Sequence, residues 1–277
     1  MSIINEALAP CSKCGQQHKV TVYRSINIAD NPELKSKVKD GSLFLWECPH
    51  CGQVNLAKYE TLYHDPAAKL MVWLIPSGEV SETQMQAITM HTKAMGGYTL
   101  RRVNDMGSLM EKVLINEAGL DDVVLEMCKY ITKQEMLQKS VGQEMKDEFL
   151  ASTFHFYKSE GEDEQRILTF MYGLNGQMQG VNIGWNVYQD CAGILERNPQ
   201  IKPADGFSRI DADWLLTVIA ELLCKFTCSV ADYNWNNDWL MTVFLSKCSL
   251  CFFNERIVKF CFHKVDSTTT EATTHDT

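Results

Sequence analysis

"CSKCGQ" (residues 11–16) and "CPHCGQ" (residues 48–53) are two nearly identical stretches near the start of the 277-residue chain. Each places two cysteines three positions apart, so that one tight turn can present two sulfur atoms to a single metal ion. The glycine after each pair, Gly15 or Gly52, permits the left-handed backbone that such a turn needs. Two turns of this kind that face one another supply the complete tetrahedral ligand set of a structural zinc site.

The spacing of the two pairs predicts one structural zinc ion in a zinc-ribbon-like module, with the ligands Cys11, Cys14, Cys48 and Cys51. The 33 residues between the pairs exceed the common separation of about 15–20. A helix predicted over residues 29–41 accounts for the extra length. The alternative is a set of unligated or redox-active cysteines, but no βαβ pattern typical of a thioredoxin-like site surrounds either pair.

Further cysteines and histidines are weaker candidates for metal ligands. His18, His50 and His64 lie near the pairs, but four cysteines leave no vacancy, so we expect turn or surface histidines. A second four-ligand set is conceivable near the end of the chain, formed by Cys248, Cys251, Cys261 and His263. It lacks the glycine and has bulky apolar neighbours, which favours buried cysteines. Core positions on helices are also predicted for Cys128, Cys191, Cys224 and Cys228.

The net charge of −9 argues against a broad phosphate-binding surface, because nucleic-acid affinity depends mostly on lysine and arginine. Residues 1–80 carry 8 basic and 8 acidic side chains, so the excess acid lies beyond them. We expect no signal peptide, because no basic segment followed by an apolar core opens the chain. Glu221 and Lys225 interrupt the most apolar run, which argues against a membrane span. Eleven cysteines without a secretory signal fit the reducing cytoplasm.

The pattern of the remaining sequence predicts an α+β protein with two β-rich sections. Strands are expected in the first section at residues 19–26, 42–48, 54–60 and 69–76, and a further one at 98–103. Helices are expected at residues 81–95, 105–117, 121–137 and 186–198, and near Trp214. A second sheet is expected from residues 149–158, 165–173 and 177–185. We therefore predict an N-terminal zinc-ribbon-like β module (1–80), a mixed helix and antiparallel-sheet domain (81–265) and a disordered tail (266–277).

The first half of the chain resembles the CpXC family, whose members are bacterial and archaeal proteins named for a Cys-Pro-x-Cys motif. "CPHCG" (48–52) matches that motif, whereas "CSKCG" (11–15) has Ser12 where proline is typical. Three further stretches are similar to such proteins: residues 25–52, "LYHDPAAKLMVWLIP" (62–76) and "AGLDDVVLEM" (118–127). The resemblance is dense over residues 8–76, visible to about 185 and lost after about 210. It implies zinc binding by the four cysteines and no particular activity.

No established catalytic motif was found, so we expect a non-enzymatic intracellular protein that contacts another protein. Its contact surface would use whichever aromatic residues of the module lie outside the core, among Phe44, Trp46, Tyr63 and Trp73. One alternative is a nucleic-acid-binding zinc ribbon, which Lys35, Lys37 and Lys39 would serve. The other is an enzyme of unrecognised type with its site in residues 98–210, where "RRVND" (101–105) contains several charged residues near a helix start. Either this stretch or "LYHD" (62–65) could line a cleft. Turn and capping roles explain Asp65, Asn104, Asp105, Asp121 and Asp122 without catalysis.

Overall fold

The computed structural model of the chain describes residues 2–93, 96–139 and 145–231. The chain divides into two compact units, residues 1–212 and 213–277. The described elements are, in chain order, β1 (Ile3–Pro10), β2 (Gln17–Asn27), α1 (Glu33–Lys39), β3 (Leu45–Glu47), β4 (Val54–Leu56), β5 (Thr61–Asp65), β6 (Leu70–Leu74), α2 (Glu82–Lys93), β7 (Thr99–Val103), α3 (Met106–Glu117), α4 (Asp122–Lys139), α5 (Lys146–Ala151), β8 (His155–Glu160), β9 (Ile167–Leu174), β10 (Gln177–Gly184), α6 (Trp185–Arg197) and α7 (Ala212–Ala231).

A mixed five-stranded sheet in the order β1-β2-β5-β6-β7 forms the centre of the first unit. β1 and β2 make an antiparallel hairpin, β2 pairs in parallel with β5 over Ser25–Asn27, and β7 pairs in parallel with β6. Buried apolar side chains of β2, β5 and β6 pack with those of α1 and α3. The fully buried members of this core include Ile26, Val38, Phe44, Tyr63, Val72 and Leu109.

Two smaller antiparallel sheets complete the described part of the first unit. β3 and β4 form a short hairpin, and β8, β9 and β10 form a three-stranded sheet. Phe154 and Tyr172 stack beside this second sheet with ring centroids 4.5 Å apart. The helices, the mixed sheet and the antiparallel sheets confirm the predicted α+β class. The domain boundary near residue 80 stays a prediction, while β7 extends the central sheet with residues beyond it.

Most predicted elements are present, and the differences have local causes. Residues 42–44 form a 3₁₀ turn before β3, because Gly41 with φ +77° closes helix α1 and reverses the chain there. The segment 54–60 is a strand only over Val54–Leu56. The predicted strand at 149–158 begins as the end of α5, and β8 starts at His155. Strand β1 was not predicted, because its sequence "IINEALAP" lacks alternation.

The helix α7 carries the most apolar run of the chain and belongs mainly to the second unit. None of the helices in the described ranges is long and apolar enough to cross a membrane. The predictions for Cys224 and Cys228 concern side chains outside the described set. The predictions for the tail 266–277 and for the possible second ligand set lie outside the described residues altogether.

A buried ion cluster joins β7, α3 and α4. The carboxylate of Asp122 accepts hydrogen bonds from Arg101 at 2.7 and 2.8 Å and from the ammonium group of Lys112 at 2.7 Å. Lys112 also donates to the backbone carbonyl of Ile210 at 3.1 Å. Burial raises the pKa of the Asp122 carboxyl, but the two cations outweigh this and hold the pKa well below its usual range. The cluster therefore depends on Asp122 being ionised.

The substitution Asp122→Asn should destabilise the protein by about 3–5 kcal/mol, because it leaves Arg101 and Lys112 buried without a counter-charge. Urea unfolding followed by circular dichroism measures this change. Asp121→Asn is the matched control: Asp121 is exposed and caps α4 by accepting from the N–H of Val123, which asparagine can also do. Equal losses in the two variants would contradict the role assigned to Asp122.

A second buried cluster centres on Glu111 of α3. Its carboxylate accepts from the N–H of Phe156 at 2.7 Å and from Lys129 at 3.1 Å, and lies 3.5 Å from His155. Burial alone would raise the pKa of Glu111, but the charge of Lys129 and the contacts of His155 and Lys112 lower it to about 2. Glu111 thereby links helices α3 and α4 to the first strand of the second sheet.

Because the pKa of Glu111 is lower in the folded chain than in the unfolded chain, its contribution to stability should be complete above about pH 4.5 and lost as the pH falls towards about 2. Glu111→Gln should therefore show a shallower loss of unfolding free energy between pH 5 and pH 3 than the unmodified chain. Urea unfolding at several pH values measures this slope. Glu117→Gln, at an exposed position of the same helix, should keep the original slope; a Glu111→Gln slope that also stays unchanged would contradict the assignment.

Candidate metal centre

The two Cys-x-x-Cys turns have the same backbone geometry. In the first turn the N–H of Cys11 donates to the carbonyl of Gln16 at 2.9 Å, and the N–H of Gly15 donates to the carbonyl of Cys11 at 2.9 Å. The second turn repeats both bonds at 2.8 and 2.9 Å between the equivalent positions of residues 48–53. Gly15 and Gly52 have φ angles of +73° and +68°, as the predicted turn requires.

Each turn lies at the tip of a hairpin, and the two tips meet. The first turn joins β1 to β2, and the second joins β3 to β4. The sulfur of Cys11 lies 3.6 Å from that of Cys51, and the sulfur of Cys14 lies 3.8 Å from that of Cys48. All four sulfurs lie within 4.8 Å of one another, so they could bind one metal ion. These distances exceed the disulfide bond length of about 2.05 Å, and all four cysteines are free.

The pKa values of the Cys11 and Cys51 thiols are shifted in opposite directions. The backbone N–H of Cys14, followed by that of Lys13, lowers the pKa of the Cys11 thiol to about 6. The backbone N–H of Gln53 lowers the pKa of Cys51, but desolvation and the adjacent sulfurs outweigh this and raise it to about 12. Like charges at this separation oppose one another, so the four sulfurs can all be thiolates only when a cation balances them.

Asn55 of β4 connects the two turns directly. Its side-chain oxygen accepts from the N–H of Ser12 at 2.9 Å and from the Ser12 hydroxyl at 2.8 Å. Its amide group donates to the carbonyl of Gln53 at 2.8 Å and approaches the sulfur of Cys11 at 3.6 Å. Ser12 occupies the position held by Pro49 in the second turn, and a proline could not donate the N–H bond. Asn55 therefore holds one turn against the other through Ser12, one of the two positions at which the turns differ.

His18 of β2 lies beside the cluster rather than in it. Its Nε2 atom is 3.4 Å from the sulfur of Cys48, and its ring lies 6.0 Å from that of Trp46. The converging group contains neither of the other two histidines considered from the sequence: His50 of the second turn is exposed, and the His64 ring is hydrogen-bonded to the hydroxyl of Tyr98 at 3.2 Å. His18 thus belongs to the surroundings of the cluster, a role that the sequence interpretation did not assign to it.

Cys128 and Cys191 are both completely buried, as predicted for core positions on helices. Asn55 was missed entirely by the sequence analysis. The one available signal was its position, since asparagine is unfavourable within a strand and Asn55 stands between Val54 and Leu56. A polar residue placed there, four positions after the last cysteine, indicates a hydrogen-bonding role.

Asn55→Ala should weaken metal binding by about 10–100-fold, since it removes the contacts that orient Cys11 and Ser12. Competition between the metal-loaded chain and a chromophoric chelator measures the affinity. Asn5→Ala, at an exposed position of β1, is the matched control and should not change it. An unchanged affinity in Asn55→Ala would mean that the cysteines alone fix the geometry of the site.

Comparison with known proteins gives one result that bears on this site. No curated protein and no solved structure matches the chain. The model of the CpXC family, described as CpXC protein, matches residues 9–129. This span contains both turns, Asn55 and strands β2 to β7, and the resemblance expected between residue 130 and about 185 lies beyond it. The match over residues 9–129 supports the assignment of this part of the chain to the CpXC family.

Proposed function

We propose that Cys11, Cys14, Cys48 and Cys51 hold one structural zinc ion in a zinc-ribbon-like arrangement. A tetrahedral site with zinc–sulfur bonds of about 2.3 Å places its sulfurs about 3.8 Å apart. Two separations between opposite turns, 3.6 and 3.8 Å, fit this value, and this fit is the observation that carries the proposal. Soft thiolate ligands in a tetrahedron favour zinc over magnesium or calcium.

The metal would act as a cross-link rather than as a catalyst, because four thiolates leave no position open for water or substrate. The β3–β4 hairpin needs such a cross-link. Its strands have three residues each, and Leu45, Val54 and Leu56 are all about half exposed. Only its base reaches the core, through Phe44 and Ala57. Zinc at its tip would supply folding free energy that this small element lacks.

The proposed role of the zinc-bound module is non-enzymatic contact with another protein in the cytoplasm. Of the four aromatic residues considered, Phe44 and Tyr63 are buried in the core, whereas Trp46 and Trp73 are only partly buried. Trp46 lies on the hairpin that also exposes Leu45 and Leu56. Apolar side chains gathered on an exposed element support a protein-contact surface.

Two observations weigh against the alternative functions. Lys35 pairs with Asp65 at 2.9 Å and Lys39 pairs with Glu117 at 2.5 Å, so two of the three lysines expected to serve nucleic-acid binding already have partners. A small cavity of about 120 Å³ beside Arg101 is polar, as an enzyme site in residues 98–210 would require. Its charged groups are those of the Asp122 cluster together with Asp121, which caps α4, and hydrogen bonds within the protein account for all of them.

The chain purified without added metal should contain about one zinc ion, because only one set of four cysteines converges among the described residues. Cys48→Ser should lose the zinc, whereas Cys191→Ala, a buried cysteine outside the cluster, should keep it. Elemental analysis together with a thiol assay measures the zinc content. About two zinc ions would place a second site at Cys248, Cys251, Cys261 and His263, and no zinc in the chain would overturn the proposal.

A further inference from the structure

A groove of about 750 Å³ lies beside the metal centre, between strands β2 and β3. One wall is formed by β2 from His18 to Tyr23, and the opposite wall by β3 from Leu45 to Glu47. Helix α1 contributes Lys37. The two strands border the same groove without pairing with each other, since β3 pairs with β4 and β2 with β1.

The β2 wall presents peptide groups that have no backbone partner among the described residues. The N–H of Cys11 donates to the carbonyl of Gln16 across the hairpin. Along an antiparallel strand, residues whose peptide groups bond to the neighbouring strand alternate with residues whose peptide groups point away from it. Counting from this bond, the peptide groups of Lys19 and Thr21 point away from β1 and towards the groove. β5 does not cover them, because it pairs with β2 only from Ser25 onwards.

The β3 wall also presents outward-pointing peptide groups, and most of them have no backbone partner among the described residues. The N–H of Ala57 donates to the carbonyl of Phe44, and the N–H of Cys48 donates to that of Gln53, both at 2.8 Å. By the same alternation, the carbonyl of Leu45 and both peptide groups of Glu47 point away from β4, whereas the N–H of Leu45 donates to the carbonyl of Ser42. Residues with outward-pointing peptide groups thus line the groove from both sides.

We infer that this groove binds an extended peptide segment of a partner protein, which adds a strand between β2 and β3. The inference rests on the proposed protein-contact function and names the site and the type of partner. Only an extended chain offers backbone donors and acceptors along both of its edges, as the two walls require. Lys37 and Glu47 form no ion pair within the described part of the chain, so the matching segment carries an acidic residue beside Lys37 and a basic one beside Glu47.

The metal centre fixes the width of the groove. β2 begins directly after the first cysteine turn and β3 ends directly before the second, so the sulfur cluster holds the ends of both walls. His18 and Trp46 contact each other across this end, with their ring centroids 6.0 Å apart. The bound segment therefore enters from the end away from the metal, and metal removal should abolish its binding.

A display library of random dodecapeptides, selected against the zinc-loaded full-length chain, provides the probe. The best binder is resynthesised as a series of peptides, each with one backbone N-methyl group. Each methyl group in the central part of the peptide should lower the affinity of the peptide at least tenfold, because both edges of the bound strand are hydrogen-bonded to the groove. Thr21→Pro should also lower the affinity at least tenfold, since it removes an outward N–H without breaking the bonds to β1. Thr21→Ala keeps that N–H and is the matched control.

If the Thr21→Pro variant fails to fold, amide chemical-shift mapping on the unmodified chain tests whether the peptide binds in the groove. The largest changes on peptide binding should fall on the amides of Lys19, Thr21 and Glu47. Changes elsewhere, insensitivity to N-methylation, or a library that yields no binder would each overturn the groove assignment. The zinc content of every sample is measured separately, so a chain without zinc would instead show failure of the proposed metal site.

Discussion

The convergence of four sulfur atoms from two distant turns constrains most of the first 57 residues. The turns are separated by 33 residues, so the chain between them must leave the central sheet and return to the same point. Helix α1 and the reversal at Gly41 accomplish this, and Phe44 then enters the core immediately before β3 begins. The β3–β4 hairpin is thus fixed at its base by apolar packing and at its tip by the cysteines, with Asn55 bonded to the opposite turn.

Buried ion pairs connect the helices to the two larger sheets in the rest of the described first unit. Asp122 gathers cations from β7 and α3, and Glu111 connects α3 to Lys129 of α4 and to the backbone of β8. Buried ion pairs contribute little net stability because their desolvation cost offsets the attraction. Their partners nevertheless have only one satisfactory arrangement. We therefore attribute to them the orientation of the helices relative to both sheets, rather than the stability of the core.

The features that could be predicted from the sequence are those encoded by neighbouring residues. The spacing of Cys11 and Cys14 and the glycine after them specify a turn locally, and the alternation of β2 specifies a strand. The pairing of Arg101 with Asp122 depends instead on residues 21 positions apart, and that of Asn55 with Ser12 on residues 43 apart. The sequence shows such residues as ordinary polar positions, because their roles exist only once the sheet has brought them together.

The metal centre also explains why the two walls of the groove remain free. Neighbouring hairpins in a small protein are usually joined by hydrogen bonds between their strands, which would use up the outward edges of β2 and β3. Here the cysteine cluster holds the tips of the two hairpins together, and the core holds the base of the second. A cross-link through sulfur makes strand pairing unnecessary at this place. On the proposal of zinc binding, the same ligands would stabilise a small hairpin and leave the outward edges of two strands available for an extended partner.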